Sequence, residues 1–358
     1  MKNDQERLQT RKIKKAMSVF VLLDRMEGKN DKKWLVDYLC QQCEQPVVPI
    51  YSKFTLSIEY RNGLLGKLRV LCEVLSQCIC LLRQSRKDDI VVCWTTLSMH
   101  VLYPLAFLFG CKRYYLAMNW ITPQAGDYFN WLKRIMVKDE RVKIIVNTNE
   151  LINVWQELLH TDRADAFHYI PDVYDTMIPF REFVPREKHY FFTGGMSNRD
   201  WFLISRLAVK FPDVNFVCCA LEDDFNEKVK NVPANMIVHF NIEASEYYRL
   251  LSEAYAVLLP LCENVVSGLI NIIRSAQEGV LCLVTDIPAT RQYYGEDSKD
   301  LLLSFDEAEW ETRIKGLLDM SQEEMRERCM RFSSFIQEQF SPPHAVEMLV
   351  SLFPNRKD

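Results

Sequence analysis

One stretch constrains the fold of this chain more than any other, and it runs from Ala254 to Tyr294. An apolar run of strand length, 254–260, is followed by a polar elbow at 262–268, by helically spaced residues, and by a second apolar run at 280–284. The pattern predicts one β-loop-α-β unit. Such units build parallel sheets, which bind ligands at the carboxyl ends of their strands. The elbow is therefore the first candidate for a functional site.

Two residues of the elbow, Ser267 and Gly268, stand where the predicted helix begins. Backbone N–H groups at a helix N-terminus are oriented toward anions, and a glycine lets an anion approach the backbone closely. Ser267 is also a suitable N-cap residue. The pair therefore predicts either an anion site or an ordinary helix start.

The alternation of strands and helices extends over the whole chain and predicts an α/β architecture. A length of 358 residues is long for one hydrophobic core, so we expect two doubly wound domains. Prolines between 171 and 185 indicate the connection. The expected domains are 1–178 and 179–340, with a C-terminal helix in 341–358 that packs back onto the first. Two such domains facing each other across a cleft can enclose a ligand.

Composition excludes several classes of protein. With 48% apolar and 26% charged residues the chain is an ordinary globular protein, and its apolar stretches fall short of the ~20 residues that span a bilayer. The N-terminus lacks the apolar core of a signal peptide. Most of the 12 cysteines lie in apolar segments, which indicates free thiols in a reducing cytoplasm. Cys40 and Cys43 have zinc-like spacing but no second pair.

Charge is distributed unevenly along the chain. Residues 1–180 carry 25 Lys and Arg against 20 Asp and Glu, whereas the remainder carries 19 against 28. A basic first half favours an anionic partner, and nothing indicates a nucleic acid. The amphipathic segment 63–86 groups leucines on one face: Leu64, Leu68, Leu71, Leu75 and Leu82. We expect this face to cover the sheet, although basic helices of this kind also bind anionic membrane surfaces.

Four pieces of the sequence, in this order and spacing, resemble one family. They are His168–Asp175 (HYIPDVYD), Phe192–Trp201 (FTGGMSNRDW), Val238–Glu243 (VHFNIE) and Glu263–Gly279. Here the chain is similar to the GT-B glycosyltransferases of the family-four type, which build bacterial surface polysaccharides. The first half resembles them by architecture only. The resemblance implies two Rossmann-like domains and a hexosyltransferase at the inner face of a membrane, with a UDP- or GDP-linked sugar as donor and a glycan or lipid-linked glycan as acceptor.

The resemblance also implies a set of site residues. The donor-binding candidates are Gly194, Gly195, Arg199, Ile242, Val266, Ser267, Gly268 and Asn271. The catalytic candidates are Asn119, which would orient the sugar or acceptor, and Glu263, which would accept hydrogen bonds from sugar hydroxyls. Each role has an ordinary alternative. Asn119 is then a turn residue, Glu263 is a solvated loop residue, and Arg199 forms a surface ion pair with Asp200. The resemblance implies retention of the anomeric configuration. It implies neither a metal nor a cofactor.

Three departures from the family's pattern concern the site. The position of a glutamate that accepts from ribose or sugar is Arg274, which has no acceptor, and an arginine of the phosphate loop is replaced by Met196. A histidine often found after the fourth strand is replaced by Asn119. These departures leave two alternatives open: a non-catalytic relative that binds nucleotide or glycan as the partner of another transferase, and a sugar epimerase of the same fold.

Overall fold

The computed structural model describes residues 17–24, 33–52, 63–110, 113–119, 126–185, 190–195, 197–263 and 266–354. The chain forms two compact units. The first comprises Met1–Pro171 together with Pro342–Asp358, and the second comprises Asp172–Ser341. The first unit thus ends before the expected boundary at residue 178, and the last helix belongs to it.

The first unit contains, within its described residues, a six-stranded parallel sheet of order β2-β1-β3-β4-β5-β6. Its strands are β1 (Val19–Leu23), β2 (Val47–Tyr51), β3 (Ile90–Cys93), β4 (Tyr114–Met118), β5 (Val142–Val146) and β6 (Phe167–Tyr169). Its helices are α1 (Lys33–Gln42), α2 (Gly63–Gln84), α3 (Thr96–Leu108), α4 (Asn130–Met136), α5 (Asn149–Leu159) and, at the end of the chain, α13 (Pro342–Ser351). Strands β1 and β3 are buried at every position, which explains why their sequences are continuously apolar.

The C-terminal helix α13 is part of the first unit's core. Ala345, Val346 and Leu349 are buried, and Gln42 at the end of α1 donates through Nε2 to the carbonyl of Pro343 at 2.9 Å. Helix α13 therefore packs beside α1, although the two are separated by the whole second unit in sequence.

Helix α2 meets the sheet with a different face from the one that its leucines predict. Its buried residues are Glu73, Val74, Gln77, Cys78 and Leu81. Gln77 donates through Nε2 to the carbonyl of Leu23 at 3.1 Å, at the end of β1. Buried strand-end carbonyls need a donor, which no leucine has, so the expected leucine face is wrong. No helix of the described residues, α2 included, is long and apolar enough to cross a bilayer.

The second unit contains, in its described part, a parallel six-stranded sheet of order β12-β11-β10-β7-β8-β9. Its strands are β7 (Tyr190–Gly194), β8 (Asn215–Ala220), β9 (Met236–Phe240), β10 (Ala256–Leu259), β11 (Cys282–Thr285) and β12 (Leu302–Leu303). Its helices are α6 (Trp201–Lys210), α7 (Glu222–Lys228), α8 (Ala244–Glu253), α9 (Leu269–Gln277), α10 (Pro288–Arg291), α11 (Glu307–Asp319) and α12 (Gln322–Gln339). Neighbouring β7 and β10 place the two glycine loops that follow them at the same edge.

The segment after Pro171 is anchored to the second unit by Gln277 at the end of α9. The Gln277 side chain donates through Nε2 to the carbonyls of Asp175 and Ile178, both at 2.9 Å, and the backbone carbonyl of Gln277 accepts from Arg181 N at 2.7 Å. These bonds account for a boundary at the start of the proline-containing connection, at Pro171, and not at residue 178.

Candidate anion-binding site

The site begins where β7 ends. Gly194 closes the strand, and Gly195 follows with a φ of +146°, a conformation that side chains rarely adopt. A Cβ at Gly195 would lie only 2.7 Å from Cζ of Arg199. The Gly195 N–H donates to the carbonyl of Cys219 at 3.2 Å. Gly195, a donor-binding candidate, therefore contributes space beside the guanidinium, while its own N–H is engaged by the neighbouring strand.

Arg199 lies at the centre of the site and is only 2% exposed. Its Nε donates to the carbonyl of Gly194 at 2.8 Å, and its Nη1 donates to Ser197 O and Ser267 Oγ, both at 3.0 Å. Burial lowers the pKa of the guanidinium, and no carboxylate of the described residues forms an ion pair with it. The alternative of a surface ion pair with Asp200 is wrong.

Asp200 has a different role at the start of the next helix. Its Oδ1 accepts from Leu203 N at 2.8 Å and so caps α6. Asp200 N also donates to the carbonyl of Pro260 at 3.0 Å. The cap and this backbone bond together fix the position of the loop that carries Arg199. The loop after β7 is thereby tied to the end of β10.

The elbow after β10 supplies the second wall of the site. Gly268, with a φ of +80°, is the N-cap of α9, and Ser267 precedes it. A Cβ at Gly268 would lie 3.0 Å from Nη2 of Arg199. Ser267 Oγ accepts from Arg199 and donates to Ser197 O at 3.1 Å. The two loops therefore meet around one guanidinium, beside the first turn of α9. There the N–H groups of Leu269 and Ile270 precede the first intrahelical bonds, whereas the N–H of Asn271 donates to the carbonyl of Gly268 at 2.9 Å.

Asn271 fastens α9 to the end of β7. Its Nδ2 donates to the carbonyl of Gly194 at 3.0 Å and to the hydroxyl oxygen of Tyr247 at 2.7 Å. The Tyr247 hydroxyl lies where a Cβ at Gly194 would be, and burial raises its pKa. Tyr247 was not singled out in the sequence, because one tyrosine in an amphipathic helix gives no sign of a buried hydroxyl.

The remaining candidates of the second unit are less closely connected to Arg199. Glu263 is held through its backbone, with its N–H donating to Asn198 Oδ1 and its carbonyl accepting from Asn198 Nδ2, both at 3.1 Å, while its side chain is exposed. Ile242 and Val266 are half-buried against the core of this unit. Met196 lies outside the described residues.

In the first unit, Asn119 follows β4 and is 2% exposed. Its N–H donates to the carbonyl of Ile145 at 2.7 Å, and its Oδ1 is a buried acceptor without a partner among the residues described. Trp120, the next residue, is outside them. Asn119 therefore holds a position at a strand end where a ligand hydroxyl or amide can complete its hydrogen bonding.

Arg274 is engaged by a carboxylate of its own helix. Its Nη2 lies 2.7 Å from Glu278 Oε1, and Arg181 Nη1 lies 2.9 Å from Glu278 Oε2. The Arg274 guanidinium also lies 4.8 Å from the ring centroid of Tyr248, beside a cavity of about 660 Å³ between α8 and α9. The position at which the family has an accepting glutamate therefore offers donors only.

No family model matches the sequence, and no curated protein matches it. Several solved structures do match this chain. A sucrose-phosphate synthase from Thermosynechococcus elongatus gives a TM-score of 0.68 at 10% identity, over 94% of this chain and 98% of that chain. A glycosyltransferase from Rickettsia africae gives 0.64 at 11% identity, over 95% and 98%. HepE of Anabaena in complex with UDP and glucose gives 0.63 at 12% identity, over 94% and 99%.

These likenesses confirm the fold inferred from the sequence. The chain has the α/β architecture of the GT-B fold, with two Rossmann-like units. Identities of 10 to 12% establish this architecture alone, so activity has to be argued from the site.

Proposed function

We propose that the chain is a glycosyltransferase that moves a hexosyl group from a nucleotide sugar to a glycan or lipid-linked glycan. The observation that carries the proposal is Arg199, a buried guanidinium without a carboxylate partner in the described structure, set against Gly195 and Gly268 at a strand-end edge. Burying an unpaired charge costs several kcal/mol. An anionic ligand at this edge would offset that cost, and the HepE structure holds UDP and glucose.

The chemistry of glycosyl transfer suits this arrangement. As the bond between sugar and diphosphate breaks, negative charge grows on the leaving oxygen, and donors already in place stabilise it. Arg199 supplies one charge-assisted donor, worth about 1.5 to 3 kcal/mol, and the first turn of α9 supplies N–H groups and the positive end of its dipole. With these donors the proposed reaction needs no metal. We assign it retention of configuration and a UDP- or GDP-linked donor.

The other candidates have supporting roles in the proposal. Ile242 and Val266 would contact the nucleoside, Glu263 would accept from sugar hydroxyls, and Asn119 would orient the sugar or acceptor. The proposed place of action is the cytoplasmic face of a membrane, where lipid-linked glycans are elongated. Free cysteines buried in the sheets, such as Cys93 and Cys218, suit the reducing compartment that this location requires.

A second candidate function is a non-catalytic binding partner of another transferase. The observation that favours it is the ion pair of Arg274 with Glu278, because Arg274 has no acceptor for a ribose or sugar hydroxyl and the guanidinium engages the nearby carboxylate. The two functions differ in one outcome. Binding of a nucleoside diphosphate without release of free diphosphate from any donor and acceptor would identify the binding partner.

The proposal is tested by calorimetric binding of UDP, GDP and uridine. We expect a nucleoside diphosphate to bind and Arg199→Met to weaken it by about 10- to 100-fold, which corresponds to a charge-assisted bond. The affinity for uridine, which has no phosphate, should be the same in Arg199→Met as in the wild type. The matched control is Arg206→Met, because Arg206 belongs to the same unit but pairs with Glu307 at 2.5 Å. If Arg199→Met, folded by circular dichroism, binds the diphosphate as the wild type does, the site is misplaced.

A further inference from the structure

We propose that the outward face of α2, together with the C-terminal end of α3, is a docking surface for an anionic lipid bilayer. The proposal rests on the proposed function only for the reason why the chain would meet a membrane. The surface itself is defined by exposure, spacing and charge in the first unit, and none of its residues belongs to the donor site.

An apolar stripe runs along the outward face of α2. Leu68, Cys72, Leu75 and Ile79 recur at i, i+4, i+7 and i+11, so they form one line on the helix. The three aliphatic members are 48%, 38% and 39% exposed, and Leu65, one turn earlier, is 83% exposed. The stripe is about 20 Å long at 1.5 Å per residue. Contiguous apolar surface of this kind marks an interaction site.

Exposed apolar side chains also occur at the end of α3. Phe107, Leu108 and Phe109 are 78%, 77% and 68% exposed. Arg113 follows this end of α3, and its Nε donates to the hydroxyl of Ser85, just after α2, at 2.9 Å. The C-terminal ends of the two helices therefore lie side by side. Phe and Leu are typical of apolar faces that enter the boundary between head groups and acyl chains.

The charges of α2 select the kind of partner. Its charged residues on the outside are Lys67, Arg69 and Arg83, which are all basic. Its one acidic residue, Glu73, is 6% exposed and accepts from Ser52 Oγ at 3.3 Å. An apolar stripe flanked by cations is complementary to acyl chains beneath anionic head groups. Two copies of the same face would repel each other, so the partner is a lipid surface rather than a second chain.

The test is co-sedimentation of the full chain with vesicles of phosphatidylcholine alone and of phosphatidylcholine with phosphatidylglycerol. We expect binding to the anionic vesicles, declining with salt. The triple variant Lys67→Gln, Arg69→Gln, Arg83→Gln should bind them about 100-fold more weakly, which is about 1 kcal/mol for each cation. The triple variant Leu68→Gln, Leu75→Gln, Ile79→Gln should lose binding as well, because its stripe no longer enters the lipid.

The matched control replaces three exposed apolar residues of the second unit. Phe202, Val209 and Met330 are 56%, 67% and 52% exposed, and their change to Gln should leave vesicle binding intact. UDP binding is measured in every variant, so failure of the donor site and failure of the docking surface are distinguished. Vesicle binding that survives both α2 variants overturns the proposal. So does a wild-type dimer in light scattering that the leucine variant turns into a monomer.

Discussion

The two sheets end in polar groups of different kinds. At the carboxyl edge of the second unit, glycines with positive φ leave room around the buried guanidinium of Arg199. At the corresponding edge of the first unit, the buried groups are Asn119, after β4, and His100, in the second turn of α3, together with Asp24, which accepts from Thr95 Oγ1 at 2.5 Å. One edge carries an uncompensated cation, and the other carries acceptors, a bonded acid and, beside His100, the ion pair of Lys133 with Asp127 at 2.7 Å.

This difference indicates a division of labour within the fold. A buried cation is stabilised by an anion, whereas buried acceptors such as Asn119 Oδ1 and His100 Nε2, which have no partner in the described structure, are satisfied by hydroxyl or N–H donors. The second unit is therefore suited to a diphosphate and the first to an uncharged, hydroxyl-rich group. A substitution at one edge should therefore leave the ligand affinity of the other edge unchanged.

The largest effect is expected from Gly195→Val. The φ of +146° and the overlap of a side chain with Arg199 both oppose the substitution, so the guanidinium must move. We expect UDP affinity to fall by more than about 100-fold, or about 3 kcal/mol, in calorimetry. Gly316→Ala is the control, because a Cβ there meets nothing within 4 Å. Unchanged UDP binding by the valine variant would show that the anion lies away from Arg199.

Much of the fold could be predicted because buried parallel strands are continuous apolar runs. The apolar run 254–260 contains β10 at Ala256–Leu259, and the run 280–284 overlaps β11 at Cys282–Thr285. The face of α2 could not be predicted in this way, because its leucines and its buried residues have the same helical spacing. Gln77 decides the face through bonds to strand ends that are remote in sequence.

The glycines singled out in the sequence lie in two loops that meet at Arg199, but their roles depend on contacts between distant segments. The N–H of Gly195 donates to the carbonyl of Cys219 in the neighbouring strand β8, and the sequence of the loop does not predict this register. The central position of Arg199 depends on its bond to Ser267, which is 68 residues away in sequence. Local pattern therefore predicts the loops, and tertiary packing determines which groups surround Arg199.

An intermediate effect is expected from pH acting on His100. Burial, and then the charge of Lys133, lower its pKa to about 4, and its ring stacks on Phe129 at 4.6 Å. Below about pH 6.5 the unfolded chain binds a proton that the folded protein does not, so stability decreases as pH falls toward 4. We expect a loss of about 2 kcal/mol between pH 7 and pH 5 from this residue.

Urea unfolding of wild type and His100→Gln at both pH values measures that loss. The variant should lose less stability on acidification, whereas His160→Gln, a change at an exposed histidine of the same unit, should behave as the wild type does. UDP affinity should be the same in all three proteins, since His100 belongs to the carboxyl edge of the first unit and not to the site around Arg199. A wild-type pH dependence in His100→Gln would mean that other groups cause the acid sensitivity.

The smallest effect on stability is expected from Asn119→Leu, which alters the carboxyl edge of the first unit directly. Because Asn119 Oδ1 is buried without a partner in the described residues, an apolar side chain of similar size should change the free energy of unfolding by less than about 1 kcal/mol. UDP affinity should be unchanged, while transfer to the acceptor, measured as release of UDP from the donor, should slow. An equal loss of UDP binding would place Asn119 with the anion and remove the distinction between the two edges.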